Sequence, residues 1–144
     1  MAMVASDCAR AYRTNSIVTA SPGQLVLMLF DGALRSLAIA RDAFSMPPDD
    51  MRRIAVINNQ LIKAQNIIAE LQGTLNMDAG DGKFAREMFR LYDYYTRRLV
   101  EANMRKEVAP VIEVEKLLGD VRSAWAEMLT QNDKTASPSI RNVA

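Results

Sequence analysis

An all-α, antiparallel four-helix bundle is the fold this chain predicts. An irregular or short-helical N-terminal segment precedes the bundle, and a disordered C-terminal tail follows it. Three observations carry this reading. Apolar residues recur in three- and four-residue steps along four stretches of about 20 residues. The stretches are separated by short breaks, three of which carry proline or glycine at or beside them. No segment alternates apolar and polar residues as a strand would. Helices of that size are roughly 30 Å long, and short connections make successive helices antiparallel neighbours. A chain of 144 residues, 49% of them hydrophobic, can build one core and one domain. That domain is expected over residues 1–129, with a tail at 130–144.

The first helix is expected over 22–44. Ser21 is placed to cap it, Pro22 suits the first helical position and Gln24 stands at the third. Its inward row is Val26, Leu29, Ala33, Leu37, Ala40 and Phe44. Pro47 and Pro48 break the chain, and Asp49 is placed to cap the second helix, expected over 50–75. The seam there is a clean heptad pattern: Ile54, Ile57, Leu61, Ala64, Ile68, Leu71 and Leu75. The loop from Asn76 to Gly82 leads to a third helix over 83–103, with Phe84, Met88, Leu91, Tyr95, Leu99 and Ala102 inward. Pro110 opens a fourth helix over 110–129, whose seam is Val111, Val114, Leu118, Val121, Trp125 and Met128. From Thr130 the apolar residues thin out and Ser, Thr, Asn and Asp take over.

Composition excludes several kinds of chemistry. There is no histidine, and Cys8 is the single cysteine. Histidine general bases, Ser-His and Cys-His nucleophile pairs, intramolecular disulfides and nearly every zinc site are therefore absent. A ferritin-like di-iron centre needs Glu-x-x-His on two helices, and the expected seams carry no Asp or Glu. Gly80 and Gly82 are not followed by the Gly-Lys-Ser/Thr of a phosphate loop. Asp31 and Asp93 sit in apolar stretches, and each reads better as solvent-facing or locally hydrogen-bonded than as catalytic. Neither a cofactor nor a metal is expected, and the chain does not read as an enzyme. Lys and Arg total 18 against 17 Asp and Glu, so the balance argues for neither nucleic acid nor an anionic membrane as main partner. The longest apolar run ends at Phe30 and is closed by Asp31, so no membrane insertion is expected. Met1–Arg10 lacks the pattern of a signal peptide, and a cytoplasmic address follows.

The helices carry more apolar residues than one seam each requires. On the second these are Ala55, Val56, Ile62 and Ala69; on the third, Phe89 and Tyr92; on the fourth, Ile112 and Leu117. They fit a wider core or an outer groove for another amphipathic helix, and periodicity alone does not choose between them. Nine methionines, with Met51, Met77 and Met104 near helix ends, also suit an adaptable binding surface.

Thr19, Ala20, Ser21 and Pro22, followed by Leu25, Met28, Leu29, Phe30, Asp31, Gly32 and Ala33, resemble the signature of the FliS family of flagellar secretion chaperones. Leu91-Tyr92-Asp93-Tyr94, Arg98-Leu99, Ala102-Asn103, Leu117-Leu118 and Trp125 match the same family in the same order. The resemblance runs from about Tyr12 to Met128. It implies a cytosolic helical bundle that holds newly made flagellin before export. On it, the disordered C-terminal segment of flagellin folds into helices on the outside of the bundle. It also implies contact with a component of the flagellar export gate, a possible co-chaperone, and a monomer or weak homodimer. By helical phase, the expected flagellin contacts are Ile62, Phe89, Tyr92, Ile112 and Leu117. By position in the family pattern, Tyr12 and Ile17 are expected to cover a groove or touch the export gate. Asp31 and Asn103 read as structural, a local hydrogen bond and a helix end respectively. Lys106-Glu107 departs from the Asn-Asp that many members carry before the last helix. The alternative is a self-assembling structural bundle with no client.

Overall fold

The computed structural model describes the backbone from Ser21 to Val143 and side chains as far as Asp133. It contains α1 (Pro22–Phe44), α2 (Arg52–Gly73), α3 (Lys83–Arg105) and α4 (Ala109–Val143). Among the described residues there is no strand. Each helix packs on two others: α1 on α2 and α4, and α3 on α2 and α4. The four form a ring about one core. The α1–α2 pairing is the most extensive. Ala33, Ser36, Ala40 and Ala43 on α1 and Ala64 on α2 are all buried, and such short side chains let two helix backbones approach.

Local chemistry sets the helix ends. Ser21 caps α1 by accepting the Gln24 amide at 3.1 Å, with Pro22 in the first turn. At α2 it is Asp50, not Asp49, whose carboxylate accepts the Arg52 amide at 2.9 Å and also pairs with the Arg52 guanidinium. This guanidinium holds the Asp50 carboxyl below its ordinary range. The Asn76–Gly82 loop is ordered by its own side chains. Asn76 accepts the Asp78 amide, and Asp81 accepts the Lys83 amide at the start of α3. Gly82 sits between loop and helix at φ +75°, and an added Cβ would stand 2.6 Å from the Met77 carbonyl oxygen. α3 ends where Lys106 turns into the left-handed region at φ 53°, so that the Lys106 and Glu107 amides both close on the Ala102 carbonyl.

The core joins Phe30 and Leu37 of α1, Ile57, Leu61, Ile68 and Leu71 of α2, Tyr95 and Leu99 of α3, and Val111, Val114 and Leu118 of α4. The heptad rows expected on α2 and α4 supply this core, apart from their end positions: Ile54 is 45% and Met128 39% exposed. On α3 the expected phase needs correction. Phe84 and Leu91 do not point inward, being 66% and 40% exposed, whereas Ala85 and Tyr92 are buried. The true inward row is Ala85, Met88, Tyr92, Tyr95, Leu99 and Ala102. Tyr92, expected on the outer face, therefore belongs to the core.

α1 is long and apolar enough, by length and composition, to cross a membrane, which reading apolar runs alone did not show. Ion pairs tie it to α4 within the bundle. Asp31 meets Arg122 at 2.9 Å and Arg41 meets Glu115 at 2.5 Å. Asp31 thus makes a contact between helices, not the local bond expected. α4 continues beyond residue 129, and the Thr130 hydroxyl is satisfied inside the helix by the Ala126 carbonyl at 3.0 Å. Of the tail expected at 130–144, the side chains from residue 134 onward lie outside the described residues.

Two glycine substitutions separate strain from simple propensity. Gly82→Ala should destabilise by about 2 kcal/mol, because a left-handed alanine costs roughly 1–2 kcal/mol before the Met77 contact is counted. Gly119→Ala, inside α4 with nothing near the new methyl, should stabilise by about 0.5–1 kcal/mol. Urea denaturation of both variants measures the opposed signs.

Candidate functional site

A row on α2 and a row on α3 run side by side along the bundle surface. Asn58, Ile62, Gln65, Ala69 and Gln72 recur in alternating four- and three-residue steps, as do Phe89, Asp93, Thr96, Val100 and Asn103. Polar bonds close both ends of the pair. At one end the Gln72 side-chain amide donates to the Phe89 carbonyl at 3.2 Å and reaches the Asp93 carboxylate at 3.4 Å. At the other, the Lys106 ammonium donates to the Asn58 side chain at 2.6 Å and to the Asn103 carbonyl and side chain. Burial and the nearby Arg53 charge lower the Lys106 pKa. Ile62 and Val100 lie between these fastenings and Phe89 stands at the Gln72 end; they are 49%, 39% and 42% exposed. Asn58 to Gln72 spans about 21 Å, or some four helical turns. The result is a shallow groove, long enough for one amphipathic helix, in which the exposed Ile62, Ala69, Phe89 and Val100 are interleaved with Gln65, Asp93 and Thr96.

A second apolar feature lies at the end of the bundle where α1 begins. A cavity of about 250 Å³ is bounded by Val26 and Phe30, by Leu75 and Ala79 of the loop, by Phe84, Met88 and Tyr92, and by Val121 and Trp125. The Trp125 indole donates to the Gly23 carbonyl at 3.0 Å, which fixes the ring across the α1–α4 junction. The volume is below the roughly 300–1,000 Å³ of ordinary small-molecule sites and suits one or two apolar side chains. Burial raises the Tyr92 phenol to about 12, so it stays neutral at physiological pH.

The α3–α4 seam is closed differently. The Tyr94 hydroxyl donates to Glu113 at 2.8 Å, and Arg98 bonds Glu113 and Glu101, each at 2.7 Å. The guanidinium, helped by the phenol, holds Glu113 below the usual carboxylate range, and the same bond raises Tyr94. Among the described residues, no group of His, Cys, Asp or Glu is arranged to hold a metal ion.

The residues singled out from sequence separate accordingly. Ile62 borders the α2–α3 groove toward its Lys106 end, and Phe89 borders it at its Gln72 end. Tyr92 is core and lines the cavity. Leu117 is half-buried against the core, and Ile112 is 49% exposed on the outer face of α4, away from both features. Tyr12 and Ile17 lie outside the described residues. Helical periodicity missed Val100 and the exposed Phe84. Val100 follows Thr96 and Phe89 at groove spacing, a signal visible in the sequence once the groove is known.

Comparison with known proteins bears on what such a bundle is. Residues 5–132 match the family model described as flagellar protein FliS. The chain is 42% identical over 124 residues to the flagellar secretion chaperone FliS of Bacillus subtilis, covering 86% of this chain and 87% of that one. It is 38% identical over 115 residues to the FliS of Salmonella typhimurium, covering 79% and 81%. The chain belongs to the FliS family. That family consists of flagellin export chaperones, which work in the cytoplasm and are not enzymes.

The Glu113 cluster makes stability depend on acid. A carboxyl held below its unfolded value of 4.5 stabilises the fold above that pH, and the contribution is lost as pH falls through the lowered folded value. Glu113→Gln should therefore melt below the parent at pH 7, and the gap in Tm should close as pH falls through the lowered folded value of the carboxyl. A gap that persists unchanged in acid would mean that packing, and not charge, carries the effect.

Proposed function

We propose that this FliS protein binds the C-terminal segment of flagellin in the α2–α3 groove, keeps it from premature polymerisation and delivers it to the flagellar export gate. The observation that carries the reading is the exposure of Ile62 and Val100 between two polar fastenings, with the exposed Phe89 ring at the Gln72 end. A groove fastened only at its ends offers apolar surface without needing to unfold. Flagellin segments that assemble when free would be held apart once their apolar faces are covered. The segment loses conformational entropy as it becomes helical, so the interface must be large. The end cavity beside Trp125 supports a second anchor point for a bulky apolar side chain. Tyr12 and Ile17 belong, in this reading, to the segment that covers a groove or touches the gate. No nucleotide is needed, because release requires only that the balance of binding be tipped.

Titration calorimetry with the C-terminal segment of the cognate flagellin, followed in parallel by circular dichroism, tests this. The expected result is one-to-one binding with a gain in helix. Ile62→Asp combined with Phe89→Asp should weaken it by at least about tenfold, or ~1.4 kcal/mol, while leaving the free bundle's Tm nearly unchanged. The single tryptophan, Trp125, reports whether the end cavity is engaged. A stable multimer on sizing, with no binding at tens of micromolar, would favour self-assembly through the same faces.

A further inference from the structure

A net charge of +1 conceals how the charges are placed. Lys83, Arg86, Arg90 and Arg97 are all exposed, and steps of three, four and seven residues set them along one edge of α3. This edge adjoins Phe89, Asp93 and Val100, the α3 side of the groove. Among the described residues no carboxylate pairs with any of the four cations. Arg86 donates only to the Asp81 backbone carbonyl, at 3.2 Å. The arginines that fasten helices together behave otherwise. Arg41, Arg98 and Arg122 each hold a carboxylate on a neighbouring helix. The acids near the edge offset it only in part. Glu101 is taken by Arg98 and Arg105, Asp93 contacts the Gln72 amide, and Glu87 is exposed and unpaired. Glu70 is exposed on α2 but lies outside the row that borders α3.

We propose that the α3 rim of the groove selects an acidic partner. The occupant is an amphipathic helix of the client whose apolar row meets Ile62 and Phe89 and whose flanking Asp or Glu residues lie against Arg86, Arg90 and Arg97. This rests on the functional reading above and adds to it a charge requirement on the client. Four like charges within about 21 Å repel one another, and an acidic flank relieves that repulsion as it docks. Arginine suits the role, since its planar fork matches the two oxygens of a carboxylate. Charges at the rim of a contact act mainly on the rate of encounter and are screened by salt. Asp93, among these cations, opposes an acidic ligand.

The test measures binding of the cognate flagellin C-terminal segment at 50 and 500 mM salt to four proteins: the parent, Arg90→Glu with Arg97→Glu, Asp93→Asn, and Phe89→Asp. All the altered side chains are exposed, and circular dichroism checks that each variant folds. Charge reversal should weaken binding by roughly tenfold at 50 mM, through slower association, and by under about threefold at 500 mM. Asp93→Asn should tighten binding by about twofold at 50 mM. Binding that needs Phe89 yet ignores charge reversal would overturn the acidic-partner inference and leave the groove reading intact. Failure of the parent to bind at either salt would overturn both. Anionic phosphatidylserine vesicles serve as a further arm. If they bind the parent, lose binding on charge reversal, and the peptide shows no such loss, the edge belongs to a membrane surface and the inference falls.

Discussion

The pairing of α2 with α3 is fastened by polar groups at its two ends, and the rest of the candidate site depends on that. Gln72 holds one end to the α3 backbone, and Lys106 holds the other to Asn58 and Asn103. Lys106 reaches both asparagines from a left-handed backbone, a conformation that normally favours glycine. Its ammonium offsets part of the strain by satisfying the Asn103 carbonyl near the end of α3. Since the ends are fixed, the middle need not be closed by apolar packing. Ile62, Phe89 and Val100 can remain uncovered without loosening the bundle. In a chaperone, this places binding surface and stability in different residues.

The other three seams are built differently, which explains why the groove lies where it does. α1 and α2 meet through small buried side chains along their length. α1 and α4 are joined by the Asp31–Arg122 and Arg41–Glu115 pairs and by the Trp125 indole. α3 and α4 share the Tyr94–Glu113–Arg98 cluster. Exposed pairs of this kind contribute little each, about 0–1 kcal/mol. Their effect is chiefly to fill seams with groups that would be costly to strip of water. A client's apolar helix gains less by docking on them than on Ile62 and Phe89.

How much was legible before the fold differs from helix to helix. On α2 the row Ile57, Leu61, Ala64, Ile68 and Leu71 keeps unbroken heptad spacing despite other apolar residues beside it, and it is the core. On α3 two rows compete. Leu91 and Tyr92 are neighbours, and choosing one over the other rotates the inward face by about 100°. Apolar character favours leucine, yet the larger tyrosine ring fills the space beside Tyr95, their centroids 6.2 Å apart edge to face. The same rotation removed Tyr92 from the outer set and left Phe84 at the cavity rim.

By itself the sequence determined four helices, their antiparallel order, the Ser21 cap, the breaks at Pro47-Pro48 and Asn76–Gly82, and membership of a recognisable family. These rest on interactions within a few residues of the chain, where period, caps and turn residues suffice. Only the tertiary structure decided which flank of each helix stays uncovered. Ile62, Phe89, Ile112 and Leu117 look alike as second-row apolar residues, yet the first two border one groove, the third faces away, and the fourth is packed on the core. That outcome depends on which helices are neighbours in the ring, and on bonds such as Asp31–Arg122 that join residues 91 positions apart. Periodicity along one helix carries no information about partners so distant.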